Sequence, residues 1–163
     1  MFCLDTGIVI FALNKRLPRI DERLQEELAA GTHLLIPTIV LFELTYGIAK
    51  SRQSEASARV LEAFLLGRFD VIRFDADDAA EAGDIRAHLE AKGTPIGPYD
   101  LLIAAQARRR RVALVTTNRH EFERVPGLIV TDWTTWTTSE RPAGFLAPRL
   151  SHPQAQNPSP SFA

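Results

Sequence analysis

Short apolar runs alternate with longer stretches of helical periodicity along most of this chain, and that alternation restricts it to an α/β domain with a mainly parallel sheet. Four runs predict strands, Met1 to Leu4, Leu34 to Ile36, Val71 to Phe74 and Val112 to Thr116, with Leu128 to Val130 as a fifth. Between them, Asp21 to Ala30 reads as a helix ended by Gly31, and Pro37 opens another whose apolar stripe is Val40, Leu41, Leu44 and Ile48. The stretch from Ser54 to Leu66 carries Val60, Leu61, Phe64 and Leu65 at helical spacing and is expected to pair with its predecessor as a hairpin. Asp75, Asp77 and Asp78 precede a helix from Ala79 to Ala91, where acids cap free amides. A turn from Thr94 to Tyr99 then launches an apolar helix through Leu101, Leu102, Ile103, Ala104, Ala105 and Ala107, which should be buried on most sides. The expected architecture is three-layer α/β/α around a central sheet of four or five strands.

At 163 residues the chain suits one globular domain with a core of ordinary size. That domain is expected to span residues 1–138. From Ser139 the composition shifts to Pro, Ser, Gln and Ala, which bury too little apolar surface to offset ordering, so 139–163 is expected to be a disordered tail. No apolar run approaches the roughly 18 residues a membrane helix needs, and no positive region precedes the first apolar stretch. Cys3, the single cysteine, sits in an apolar run and suits a reducing compartment. Together these features predict a soluble cytoplasmic protein. The formal net charge of −1 argues against a domain held to nucleic acid by its overall field. A local basic margin is still available in Arg108 to Arg111, a run that reads equally as a solvated helix end.

Acids interrupt the apolar pattern at informative places. Asp5 closes the first strand among Leu4, Ile8 and Ile10, Glu43 lies between Phe42 and Leu44, and Asp100 sits in the first turn of the buried helix. In an open parallel sheet, the carboxyl ends of strands and the starts of the following helices line one edge, where ligands bind. The fourth strand ends in Thr116, Thr117 and Asn118, followed by Arg119, His120 and Glu121, so this loop would reach the same edge. Grouped carboxylates repel and lose hydration unless a cation joins them, and oxygen-only ligation points to Mg²⁺ or Mn²⁺. His33, His88 and His152 have no partner at zinc-ligand spacing. Taken singly, each acid also reads as a cap or surface charge, and Thr6 as a cap for the next turn.

Three segments resemble PIN-domain ribonucleases, in particular VapC-type toxins of VapBC toxin–antitoxin systems: Leu4-Asp5-Thr6-Gly7-Ile8-Val9-Ile10, Phe42-Glu43-Leu44-Thr45-Tyr46-Gly47, and Ile96 through Ala105. With Leu114 to Asn118 and Gly127-Leu128 the similarity reaches about Trp133. It is specific in combination, each piece alone being weak. Gly7 departs from the family's usual asparagine, and Asn118 stands where many members carry a fourth acid, leaving Glu121 as its substitute.

The resemblance implies metal-dependent cleavage of single-stranded RNA. Asp5, Glu43, Asp100 and Glu121 would be catalytic and metal-binding, with Thr6, Thr116, Asn118 and Arg119 as supporting or substrate-contact residues. A metal would lower the pKa of a bound water and neutralise phosphate charge, while Arg119 or the arginines at 108 to 111 would hold flanking phosphates in a salt-sensitive way. It further implies a homodimer and a cognate VapB-type antitoxin, for which the surface around Tyr46, Ile48, Phe64 and Leu65 is the expected groove. The competing expectation, favoured by Gly7 and Asn118, is a catalytically degenerate PIN-like module that binds RNA or a partner protein. A third class, a phosphate-accepting receiver switch, fits poorly because no lysine lies near the end of the fourth strand.

Overall fold

A computed structural model describes residues 1–135. Its elements run β1 (Phe2–Leu4), α1 (Thr6–Asn14), α2 (Pro18–Ala29), β2 (Leu34–Pro37), α3 (Thr38–Ala49), α4 (Ser54–Leu65), β3 (Phe69–Ile72), α5 (Ala76–Ala91), α6 (Pro98–Arg109), β4 (Ala113–Val115), α7 (Arg119–Phe122) and β5 (Val130–Thr131). The five strands form one parallel sheet in the order β3-β2-β1-β4-β5. The chain starts in the middle, builds outward through β2 and β3, then crosses back to add β4 and β5. Right-handed crossovers in these two opposite directions place α1 to α4 on one face and α5 and α6 on the other. The packing agrees, since α1 touches α2, α3 and α4 while α5 and α6 pack on each other. This is the expected α/β/α architecture.

β1 is covered on both sides, and Phe2, Cys3 and Leu4 are all buried. Trp133 closes one margin of this core, its indole edge-on to Phe2 at 5.3 Å between ring centres. The expectations of an α3–α4 hairpin, a buried α6 and a cap built from the acids before α5 all hold. Asp75 accepts a hydrogen bond from the Asp78 amide at 2.9 Å, and Asp78 accepts one from the Asp75 amide at 3.1 Å.

Boundaries moved where the periodicity was weakest. β3 begins at Phe69 and ends at Ile72, two residues before the expected span, because this edge strand leaves Asp70 and Val71 exposed and so shows no clean alternation. β5 starts two residues later than expected, after Gly127 turns with φ +76°. α2 starts at Pro18 and α5 at Ala76, each three residues earlier than expected. α1 was not foreseen at all. Its apolar run continues directly from β1, and such a run does not by itself distinguish a strand from a buried helix. The expected domain limit at residue 138, the tail from Ser139 and His152 lie outside the described residues.

Candidate active site

The direction of chain growth reverses between β1 and β4, which opens a crevice at their carboxyl ends. Asp5 enters it from β1. Its backbone amide donates to the Val115 carbonyl of β4 at 3.1 Å, so the same pairing that builds the sheet sets its height. The side chain is 7% exposed. As the N-cap of α1 it accepts the Thr6 amide on Oδ1 at 2.7 Å, and Oδ2 accepts the buried Thr116 hydroxyl at 2.8 Å. Thr116 also accepts the Asn118 amide at 2.9 Å, fixing the loop after β4 to the same point.

Glu43, from the second turn of α3, is joined to Asp5 through the intervening threonine, whose hydroxyl donates to Glu43 Oε2 at 2.5 Å. Asp100 comes from the first turn of α6, where Pro98 and the Gly97 cap start the helix. Glu121, on α7, meets Asp100 by a side-chain hydrogen bond and stands 3.5 Å from the Gly97 amide. Burial, the charge of Asp5, the Glu121 hydrogen bond and the charges of Glu121 and Glu43 together push Asp100 up to about 7. Burial also raises Asp5, against the hydrogen bonds of Thr116 and Thr6, with the charge of Glu43 adding to the rise. Among the described residues, none of these four carboxylates makes an ion pair with lysine or arginine. The crevice is an uncompensated acid cluster.

Such a donor set suits a hard divalent cation by chemistry, since all its ligating atoms are oxygen and its charge lacks a counterion. The fit is not that of a finished cage. Among the described residues no group of three or more acids is gathered closely enough to hold an ion as the side chains stand. Asp5 and Glu43 are turned to threonines, and Asp100 is turned to Glu121.

The PIN domain family model matches residues 2–128. This chain belongs to the PIN domain family. It is 41% identical over 132 residues to the tRNA(fMet)-specific endonuclease VapC of Salmonella typhimurium, a match covering 81% of this chain and 97% of that protein. It is likewise 41% identical to Ribonuclease VapC2 of Rickettsia felis, over 82% of this chain and 98% of that protein. Among solved structures, VapBC2 from Rickettsia felis bound to a promoter DNA fragment matches with a TM-score of 0.76 and 38% identity, over 81% of this chain and 98% of that one. DNA-bound VapBC from Salmonella typhimurium matches with a TM-score of 0.75 and 41% identity, over 81% of this chain and 97% of that one.

The departures from the PIN pattern acquire physical content here. A Cβ at Gly7 would meet Asp5 Oδ2 and Thr117 Oγ1 at 3.7 Å each, an ordinary contact, so glycine is not required for space. Asn118 caps α7 from an exposed position without a side-chain cap bond, whereas Glu121 reaches Asp100. Arg119 is exposed and pairs with Glu123 at 2.6 Å.

The arginine run does not serve the crevice. Arg108 binds Glu81 and Asp84 at 2.6 Å each, Arg109 binds Asp75, Asp77 and Asp78, and Arg110 binds Asp78. These cations clamp the end of α6 to α5, on the order of 13 Å along the helix axis from Asp100. The expectation that they hold flanking phosphates is therefore overturned for these three. Sequence reasoning also missed Gly97, whose added Cβ would sit 3.0 Å from Asp100 Oδ2. Its only signal was a glycine squeezed between Ile96 and Pro98 at a helix start.

A groove of about 400 Å³ runs between α1, α3 and α4, lined by Ile10, Leu13, Leu44, Ile48 and Val60, with Glu43 in its wall. Of the four residues expected to line a groove, only Ile48 does so. Phe64 stacks on Phe69 at 4.4 Å, Leu65 packs against the core, and Tyr46 faces away from the groove.

Proposed function

We propose that this PIN domain is a metal-dependent endoribonuclease and the toxin of a toxin–antitoxin pair. The observation that carries this is the convergence of Asp5, Glu43, Asp100 and Glu121 in one crevice without a cationic partner. Family membership and the ribonuclease names of its VapC relatives support the same reading. The reaction adds water to a backbone phosphorus and breaks one bridging P–O bond, leaving one phosphomonoester end and one hydroxyl end.

Asp5, Glu43 and Asp100 would hold Mg²⁺ or Mn²⁺, with Glu121 completing the set. Bound there, the metal supplies Lewis acidity toward the phosphate and lowers the pKa of water. The protein's own contribution is positional. Thr116 and the Thr6 amide fix the Asp5 carboxylate, the Thr6 hydroxyl ties Glu43 to it, and the first turn of α6 presents Asp100 opposite Glu121. Asn118 and Arg119 stand at the rim as substrate contacts.

RNA cleavage by the purified chain in Mg²⁺, Mn²⁺ or EDTA tests the reading. Asp5→Asn, Glu43→Gln and Asp100→Asn should each lower turnover by about a hundredfold or more while the circular dichroism spectrum is retained. Cleavage that persists in EDTA, or full activity in any of the three, would overturn the metal role or that residue's share in it.

Restraint of such an enzyme falls to a VapB-type antitoxin. The groove between α1, α3 and α4 suits the apolar face of an amphipathic helix, and Glu43 in its wall suits an arginine or lysine from the same segment. Co-expression with the neighbouring gene's product should give a copurifying complex with suppressed cleavage.

A further inference from the structure

Three aromatic rings lie open to solvent beside the acid cluster. Phe42 is 47% exposed, Tyr46 57% and Tyr99 44%. They form a connected strip, with Tyr99 edge-on to Phe42 at 5.3 Å and Phe42 stacked toward Tyr46 at 6.4 Å. Phe42 and Tyr46 are one helical turn apart on α3, and Lys50, one turn further, places its ammonium 5.1 Å from the Tyr46 ring centre. The strip begins at the chemistry, for Phe42 precedes Glu43 and Tyr99 precedes Asp100. A contiguous aromatic patch left in water marks a contact surface.

Resting on the nuclease reading above, we propose that Tyr99, Phe42 and Tyr46 are a stacking platform for unpaired bases of single-stranded RNA flanking the phosphate in the acid crevice, with Lys50 meeting a neighbouring phosphate. The electrostatics call for such a device. The crevice is negative, and Arg108, Arg109 and Arg110 are committed to α5, so charge gives the strand little to hold outside the metal. Ring stacking binds nucleobases without net charge and tolerates any base.

The chemistry of α3 separates this occupant from a protein one. The aliphatic groove that suits a partner helix contains Leu44 and Ile48, whereas Phe42 lies about 200° around the helix from Leu44. One side of α3 is aliphatic and lines the groove; the other is aromatic and exposed and ends in a cation. The three rings would position the strand, and none need touch the reacting atoms.

The test uses the full chain and a labelled single-stranded oligoribonucleotide, read by fluorescence anisotropy and by steady-state cleavage. Tyr46→Ala and Phe42→Ala should each weaken binding and raise KM about tenfold, with kcat within about threefold, and Tyr46→Trp should restore both. An RNA with one abasic nucleotide beside the cleavage site should lose a similar factor with the wild-type chain and little more with the alanine variants. Duplex RNA should bind no differently to the variants than to the wild type.

Unchanged affinity and KM in both alanine variants would overturn the proposal. It would equally fail if the substitutions split a dimer in sedimentation, or released a copurifying antitoxin, while RNA affinity held. A chain that cleaves no RNA at all would refute the nuclease reading, and anisotropy would still report on the platform by itself.

Discussion

Asp100 carries the sharpest conflict between stability and chemistry in this molecule. Its acid form is favoured up to about pH 7 by burial and by Asp5, Glu121 and Glu43, so above that pH the folded protein must ionise it at a cost the unfolded chain does not share. The folded-state pKa is raised, and stability is therefore highest below the ordinary carboxylate range and falls as pH climbs through about 7. In EDTA at pH 8, Asp100→Asn should melt above the wild type by about 1–2 kcal/mol of stability, after allowance for solvent screening. Differential scanning calorimetry should show the gain shrink as pH falls and vanish below about pH 4, where the carboxyl is neutral in the folded and the unfolded chain alike; a gain of equal size at pH 8 and below about pH 4 would remove the electrostatic explanation. Gly97 acts on the same group sterically. Gly97→Ala places a methyl against Asp100 Oδ2, so cleavage should fall about tenfold with little change in melting temperature. Gly7→Asn meets only ordinary contacts and should stay active. At the loop, Glu121→Gln should cost more activity than Asn118→Ala, because only the carboxylate reaches Asp100; the opposite order in a cleavage assay would move the role to Asn118.

Among the elements, the joint between α5 and α6 shows how the same residues can be misread from sequence. Asp78 is fully buried, and although burial opposes its ionisation, hydrogen bonds from Arg110 and Arg109 and the Asp75 amide hold it at about 2. The unfolded chain takes up this proton first as pH falls, so the joint's contribution is present above about pH 4 and lost toward pH 2. Asp78→Asn should cost about 2 kcal/mol at neutral pH, a fall of roughly 4–8 °C in thermal melting, and should flatten the acid limb of the stability profile. RNA binding should scarcely notice, because Arg108 keeps Glu81 and Asp84, Arg109 keeps Asp75 and Asp77, and one released arginine on the order of 13 Å along α6 from Asp100 would change the salt dependence by less than about 1 log unit per log unit of salt. Helices with strong stripes, such as α3, α4 and α6, were legible, and so was the position of Asp5 at the end of β1, of Glu43 on α3 and of Asp100 in the first turn of α6, because each interrupts an apolar run. The run Arg108 to Arg110 was not legible: pairing across 24 to 34 positions is a tertiary fact that a local run of charge cannot reveal. Edge strands β3 and β5 were displaced for a related reason, since half-exposed strands lose the alternation that marks a buried one.

At the scale of the whole molecule, Trp133 closes the described core, so removal of residues 139–163 should leave melting temperature and cleavage nearly unchanged. A large loss in either, measured on the truncated chain, would show that the segment docks on the domain. The position of β1 has a consequence of another kind. As the central strand it pairs with β2 nearby, but its other partner, β4, and the Thr116 hydroxyl that holds Asp5 come 111 residues later. Closing so long a loop is entropically costly, and topologies dominated by such contacts assemble late. During synthesis the Asp5 carboxylate emerges long before its partners, and the crevice around it cannot form until Thr116 and Glu121 have left the ribosome. A nascent domain that lacks them has no complete crevice, so the site arises together with the nearly finished domain that a restraining protein would capture.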